Sequence, residues 1–257
     1  KFVPASGVAS RMFEPFHTLQ YLLKQKKFEG LNHIKSIEGS PIIQLKKQIK
    51  KLPFFQLIHT KISNGKNLQF YNSEDYFKKF INFTLSEFQY YPKGLIPFFI
   101  DLNQKQWTPF EAHLLETIHL SQQNNLVPLH LSIDKYHRKL FDEALEGFKK
   151  KIPEKTQLPF YVEYSNQHRL TDTPFIDEKK HWVRDNKGAI SFRKGGHGAL
   201  LENINRLNAD YIWIKNIDNI LLGKANKIGE LWMKIIAGKL LLIQEKLFGI
   251  QINGSWN

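Results

Sequence analysis

The sequence predicts an α/β fold, a three-layer sandwich in which a mainly parallel sheet carries helices on both faces. Three observations predict it. Short apolar stretches bounded by turn signals alternate with helical patterns of ten or more residues. The polar clusters that stand out follow apolar stretches, at the C-terminal ends of the expected strands, where ligands of open α/β sheets bind. The composition, 42% hydrophobic over 257 residues, supports a substantial core.

The elements follow in order. Phe2-Val3-Pro4-Ala5 reads as a short buried strand running into Ser6-Gly7, and a helical pattern starts near Ala9 and continues through "RMFEPFHTLQYLLKQ". Residues 16–90 read as a helical insertion, rich in Lys and Phe and without a chemical motif, with Pro53 breaking or kinking one of its helices. "YYPKGLIPFFIDL" is a loop and then a strand. "TPFEAHLLETIHLSQQ" carries a strong helix start: Thr108 suits the N-cap, Pro109 the first position, and Glu111 closes a capping box. "LVPLHLSI" (126–133) is a strand, and Asp134 caps the helix after it. "LPFYVEYS" (158–165) is a further strand, "DNKG" (185–188) a turn, and "ADYIWIKNI" (209–217) an apolar strand expected at the centre of the sheet. The chain reads as a single domain over 1–257. Its start without Met and its end just after a helix are those of a piece of a longer protein.

There is no cysteine, which excludes disulfides and thiolate metal sites and fits a cytoplasmic setting. Neither a transmembrane span nor a signal peptide is apparent. The net charge of +13 is explained either by lysine-rich outer helix faces or by attraction to a polyanion. The lysines of 44–52 and 147–155 are spaced as helix faces and are not interleaved with aromatics, so neither nucleic acid nor membrane is expected as a partner.

Five clusters could carry chemistry, and each has a plainer reading beside it. Ser6-Gly7 with Arg11 is a strand-loop-helix corner that could hold phosphate through backbone N–H groups and a guanidinium, or be a turn only. Lys93, between Pro92 and Gly94, could be a point charge for phosphate or a surface lysine. Gln167, in "SNQHRLTDTPF", could read an amide-like nucleobase edge, or the run could be a polar turn. Gly195-Gly196-His197-Gly198 could admit a flat ring against bare backbone, or be a loop needing positive φ. Asp218 could bind a hard cation such as Mg²⁺, or cap a turn. No H-E-x-x-H metal motif occurs, and nothing in the spacing suggests a Ser-His-Asp triad.

Taken in order, these residues resemble the sugar nucleotidyltransferases, and among them the UDP-sugar pyrophosphorylases. Gly7 and Arg11 match the phosphate loop, Pro92-Lys93 the proline-lysine motif, and Gln167 with Gly195-Gly196-His197-Gly198 the base contacts. Asn216 to Asn219 match the strand end that carries the metal-binding Asp. The stretches "FVPASGVASRMF", "PKGLIPF", "TPFEAHLLE", "TDTPF", "FRKGGHGALLENIN" and "IKNIDN" also resemble, in this order, an uncharacterised bacterial domain-of-unknown-function family, number 4301. The resemblance implies a Rossmann-like, GT-A-like nucleotidyltransferase fold. It implies transfer of a nucleotidyl group from a nucleoside triphosphate, a pyrimidine one, to a sugar 1-phosphate, with pyrophosphate released and Mg²⁺ on Asp218. Arg11, Lys93 and Asp218 would be catalytic. Ser6, Gly7, Gln167, Gly195, Gly196 and His197 would hold the nucleotide. The chain departs from the pyrophosphorylase pattern in having fewer loop glycines, Ser10-Arg11 in place of Thr-Arg, and no identifiable second carboxylate. An inactive sugar-nucleotide-binding protein is therefore one alternative, and a basic module acting through residues 41–58 on nucleic acid or anionic membrane is another.

Overall fold

A computed structural model describes residues 1–24, 45, 47–63, 74–121, 128–153 and 161–252. In chain order these hold β1 (Phe2–Pro4), α1 (Glu14–Lys24), α2 (Phe55–Ser63), α3 (Glu74–Phe88), β2 (Phe99–Ile100) and β3 (Gln106–Trp107). Then come α4 (Pro109–Ser121), β4 (Leu129–Ser132), α5 (Arg138–Lys151), β5 (Val162–Ser165), β6 (Thr173–Pro174), β7 (Phe192–Arg193), α6 (Leu201–Asn205) and α7 (Lys224–Ile252). The chain is thus α/β with a small parallel sheet.

That sheet has the order β1-β4-β5, with all neighbours parallel. The segment around Ile214 lies on the other side of β1. Phe2 N–H donates to the Trp213 carbonyl at 2.8 Å, and Lys215 N–H donates to the Phe2 carbonyl at 3.0 Å. The expected strand 209–217 is therefore a single bridge. Among the described residues it stands at the edge of the sheet, not at its centre, and Tyr211 and Ile214 are exposed. The reason is chemical. The odd residues of β1 bond toward β4, as when Ala5 N–H meets the Ser132 carbonyl, and the even ones face 213–215. The next even residue is Pro4, which has no N–H to extend the ladder.

Alternation along β4 sorts the two faces of the sheet. Leu129 and Leu131 point into a buried cluster with Val3, Phe110 and Leu114 of α4, and Phe141 and Phe148 of α5. On the opposite face Phe2 stacks on the His130 ring at 5.4 Å, and Asn203 of α6 reaches Ser165. The α4 start is as expected. Thr108 N–H donates to Glu111 Oε2 at 2.7 Å, and Glu111 N–H donates to Thr108 Oγ1 at 3.2 Å. Asp134 accepts from Tyr136 N–H at 3.0 Å, capping a 3-10 turn that leads into α5.

The described part of 16–90 contains helices and turns, and it has its own core. Phe13, Phe16, Phe54, Phe55, Phe80 and Phe88 pack as a buried aromatic cluster with edge and stacked pairs. Pro53 separates the turn Ile49–Lys51 from α2. Much of "SPIIQLKKQI", and the N-terminal parts of the expected strands 126–133 and 158–165, lie outside the described residues. Among the described residues the strand expected in "IPFFIDL" pairs only with its own return, as the antiparallel hairpin β2-β3, while Asp101 accepts from Asn103 N–H, Lys105 N–H and Trp107 Nε1 to close the turn. β6 and β7 belong to an antiparallel arm spanning 173–193 that turns at Asp177–Lys180 and again at Asp185–Gly188, with Gly188 at φ +80°. α7 exposes Leu231, Trp232, Leu242 and Phe248, yet no described helix is long and apolar enough to cross a membrane.

Candidate functional site

Four strand ends line the C-terminal edge of the sheet. Following the strand order, they carry Asp218, then Ser6-Gly7, then Asp134, then Gln167. The chain leaves β1 toward β4 on one side and returns beside β1 on the other. The gap between β1 and 213–215 is therefore where the strand order reverses, the place where open α/β sheets form a ligand crevice.

At that gap three of the predicted clusters meet, the Gly7 loop, Lys93 and Asp218. Val8 bridges to Pro92, and Lys93 N–H donates to the Gly7 carbonyl at 3.1 Å, so the phosphate-loop candidate and the lysine turn are one backbone unit. Lys93 Nζ reaches Asp218 Oδ2 at 2.5 Å. With side chains 30% and 41% exposed, both groups remain open to a ligand. Gly94 makes this approach possible: a Cβ there would lie 2.7 Å from Ile217 Cγ1 and 3.0 Å from its Cδ1. Asp218 sits on a tight turn in which Asn219 N–H donates to the Asn216 carbonyl at 3.0 Å.

Arg11 is exposed in the 3-10 turn Ser10–Phe13, and its guanidinium has no hydrogen bond or ion pair among the described residues. Open space surrounds Gly7, with nothing within 4 Å of where a Cβ would be.

The second group lies at the β5 end. Gln167 Nε2 donates to Thr171 Oγ1 at 3.0 Å, and Thr171 Oγ1 donates to the His168 carbonyl at 2.6 Å. A Cβ on Gly195 would lie 2.4 Å from the Thr171 carbonyl oxygen and 3.5 Å from Gln167 Nε2. Close approach therefore demands glycine at this position; neither Gly195 nor Gly196 has the positive φ that the plainer reading supposed. Gly196 has nothing within 4 Å of a would-be Cβ, which leaves bare backbone open beside Gln167's partner. The loop is tethered by Lys194 Nζ on Asp134 Oδ2 at 2.5 Å. Burial pushes the Asp134 carboxyl up, but the hydrogen bonds from Lys194 and Tyr136 outweigh it and hold its pKa below the usual range. His197 begins the 3-10 turn His197–Leu200; its side chain lies outside the described residues.

Sequence reasoning missed what holds Asp218 in place. Two residues of α4, one turn apart, grip the strand before it. The fully buried His113 directs Nε2 at the carbonyls of Asn216 and Ile217, each at 3.2 Å. Both are acceptors, so Nε2 carries the proton, and His113 Nδ1 has no partner among the described residues. Burial, then the charges of Lys1 and Lys215, drives its pKa well below the ordinary value, and the ring is neutral. Glu116 accepts from Lys215 Nζ at 2.6 Å and forms an ion pair with Lys1 Nζ, also at 2.6 Å, with its side chain fully buried. Burial alone would raise the Glu116 pKa, but the two ammonium groups hold it below its normal value. The i, i+3 spacing of His113 and Glu116 on one face of this helix was the available signal.

Among the described residues, no three His, Asp or Glu side chains gather as a metal site. Asp218 offers one hard carboxylate, already shared with Lys93. This suits Mg²⁺ only where nucleotide phosphates complete the coordination. A separate cavity of about 1110 Å³ opens between the β2-β3 hairpin, α4 and the start of α7, lined by Phe99, Leu115, Ile118 and Leu222 with Asp101 and Lys151; it touches none of the predicted site residues.

Comparison with curated proteins gave no match, and comparison with solved structures gave none either. A family model matches residues 1–253, nearly the whole chain, and it spans every segment that builds the C-terminal edge of the sheet. The chain belongs to the family described as a domain of unknown function (DUF4301).

Proposed function

We propose that this chain is a Rossmann-like, GT-A-like sugar-phosphate nucleotidyltransferase domain, joining a nucleoside triphosphate to a sugar 1-phosphate with release of pyrophosphate. The observation that carries the reading is the meeting of the Gly7 loop, Lys93 and Asp218 at the strand-order reversal. A cationic side chain and an open glycine loop side by side suit a phosphate chain. The Gln167–Gly195–Gly196 group, further along the same edge, suits a base held flat against backbone and read by an amide.

In this reading the sugar-phosphate oxygen attacks the α-phosphorus in line, and the protein contributes position and charge. Lys93 turns from Asp218 to a phosphate oxygen. Arg11, free of protein partners among the described residues, closes on the same phosphates from the 3-10 turn. Mg²⁺, when bound, would neutralise phosphate charge, with Asp218 as its protein ligand. His113 and Glu116 keep the 215–218 segment in place.

A second reading is favoured by the donor count. One ion-paired carboxylate, with no cluster of three among the described residues, suits a nucleotide- or sugar-nucleotide-binding protein without turnover. Thermal stability measured with UTP, CTP, ATP, GTP and UDP-sugars, with and without Mg²⁺, tests binding. A ligand at about 100 times its Kd adds about 2.7 kcal/mol. A base-selective, Mg²⁺-dependent rise that Asp218→Asn removes supports the site, and pyrophosphate release with a panel of sugar phosphates then decides between the readings. No rise with any nucleotide on the folded protein refutes both.

A further inference from the structure

On the sheet face opposite α4 and α5, just before the strand ends that carry Asp134 and Gln167, β4 and β5 bring together a serine, a histidine and a glutamate. Parallel register sets His130 opposite Glu163 and Ser132 opposite Ser165, so His130, Glu163 and Ser165 project from the same face. His130 Nδ1 lies 3.1 Å from Glu163 Oε2, and His130 Nε2 lies 2.8 Å from Ser165 Oγ. The directions of these bonds are fixed by chemistry. An ionised carboxylate only accepts, so Nδ1–H donates to Glu163, and in the neutral imidazole Nε2 is then bare. Ser165 Oγ–H must then donate to Nε2. The remaining lone pairs of Ser165 Oγ accept from Asn203 Nδ2 at 2.9 Å, and the second N–H of that amide satisfies the Asn166 carbonyl at 2.9 Å. Phe2, stacked on the imidazole at 5.4 Å, holds its plane.

This is the order of a nucleophile, its base and the group that orients the base. It also has room for a substrate. Ser165, His130 and Glu163 all line an open cavity of about 720 Å³, together with Asn203, Arg138 and Arg206. Arg138 of α5 pairs with the exposed Asp142 and lies 4.1 Å over the Tyr164 ring, and Arg206, the C-cap of α6, pairs with the exposed Glu202. Such pairs are weak and exchange readily for a ligand anion.

The geometry points to a second site in this chain: a serine hydrolase centre of Ser165, His130 and Glu163, acting on esters whose acyl part carries a further negative charge. Ser165 Oγ attacks the ester carbonyl carbon while its proton passes to His130 Nε2. The C–O bond to the alcohol then breaks, and the alcohol oxygen takes that proton from His130. Water adds to the acyl-serine, giving its proton to His130. The acid leaves as Ser165 recovers its hydrogen. Glu163 holds the Nδ1–H tautomer throughout, and the Asn203 amide, 2.9 Å from the nucleophile, is the donor positioned to turn toward the developing oxyanion.

The test is modification of the protein by a fluorophosphonate, with the site located by mass spectrometry, and hydrolysis of 4-nitrophenyl hemisuccinate compared with 4-nitrophenyl acetate. The expected result is phosphonylation at Ser165, abolished in Ser165→Ala and slowed at least about 100-fold in His130→Gln, with the hemisuccinate as the faster substrate. A folded protein that is not modified at Ser165, or is modified equally fast in His130→Gln, overturns the proposal. Should His130→Gln not fold, Ser165→Cys decides, because it places the only thiol in a chain that has none. Paired with His130, that thiol is alkylated by iodoacetamide at pH 6.5 at least about tenfold faster than a free thiol of pKa about 8.5; alkylation at the free-thiol rate overturns the assignment.

Discussion

Replacing Gly94 by alanine tests how Lys93 and Asp218 are brought together. The added Cβ would lie 2.7 Å from Ile217 Cγ1, 3.0 Å from Ile217 Cδ1 and 3.7 Å from Phe141 Cζ. Ile217 is β-branched and 5% exposed, so it has little room to move. Overpacking of this kind costs about 1–3 kcal/mol. Against it stands a gain of about 0.4–1 kcal/mol from the stiffer unfolded chain, since Gly94 has no positive φ that alanine would resist. The net expectation is a loss of about 1–2 kcal/mol. Ile217→Ala deletes both clashing atoms and by itself costs about 2–5 kcal/mol. In that background the nearest remaining contact of Gly94→Ala is Phe141 Cζ, at ordinary van der Waals distance, and the substitution becomes neutral or stabilising. The two substitutions are therefore coupled by at least about 1 kcal/mol. Urea unfolding of the four proteins of this cycle, followed by tryptophan fluorescence, reads the coupling as midpoint shifts at constant m. An equal loss from Gly94→Ala in both backgrounds would falsify the packing argument.

Three further outcomes follow from the same structure. Asp218→Asn changes unfolding stability by less than about 1 kcal/mol, because its pair with Lys93 is half-exposed; a larger loss by thermal melting refutes the view that this pair is poised for a ligand. Thr108→Ala removes one arm of the capping box and lowers stability by about 1 kcal/mol, seen as a lower melting temperature. Acidification destabilises the protein through His113: its folded pKa is far below the unfolded value of about 6.5, so the unfolded chain takes up the proton first as pH falls. Stability is then lost below about pH 6.5 with a slope of up to about 1.4 kcal/mol per pH unit from this group, in the same direction as smaller terms from His59 and His137. His113→Gln, which keeps an N–H donor, flattens that slope; an unchanged pH dependence of the urea midpoint contradicts the assignment.

How much of this was legible in the sequence depended on how local each cause was. The capping box at Thr108, the Asp134 cap and the Asp185–Gly188 turn are set by residues a few positions apart, and all three were readable. So was the gathering of polar clusters at strand ends, because strand direction alone puts Ser6-Gly7, Gln167 and Asp218 on one edge of a parallel sheet. The edge position of 209–217 was not readable. Its apolar run fits a central strand, and only the bonding parity of β1 shows that Pro4 ends the ladder. The partners of Lys93 and Glu116, and the Ser165–His130–Glu163 set, join residues remote in sequence through register. No spacing rule anticipates such meetings. For Gly195 the plainer reading of positive φ does not hold: the close Thr171 carbonyl demands glycine there, and not its own dihedrals.

β1 has a consequence for how the molecule assembles. Phe2 is among the first residues of this chain, yet its neighbours in the sheet are His130 and Ile214. Pairings between such distant segments close long loops and form slowly. The aromatic cluster from Phe13 to Phe88 needs none of them. During synthesis that helical unit can settle while β1 waits, its two buried apolar residues unsatisfied, for partners emitted much later. The strand ends that form the proposed nucleotide crevice are then completed only after residues 213–218 have emerged, so slowed synthesis between the α5 and α7 codons should lengthen the time for which the nascent chain depends on chaperones, without altering the finished structure.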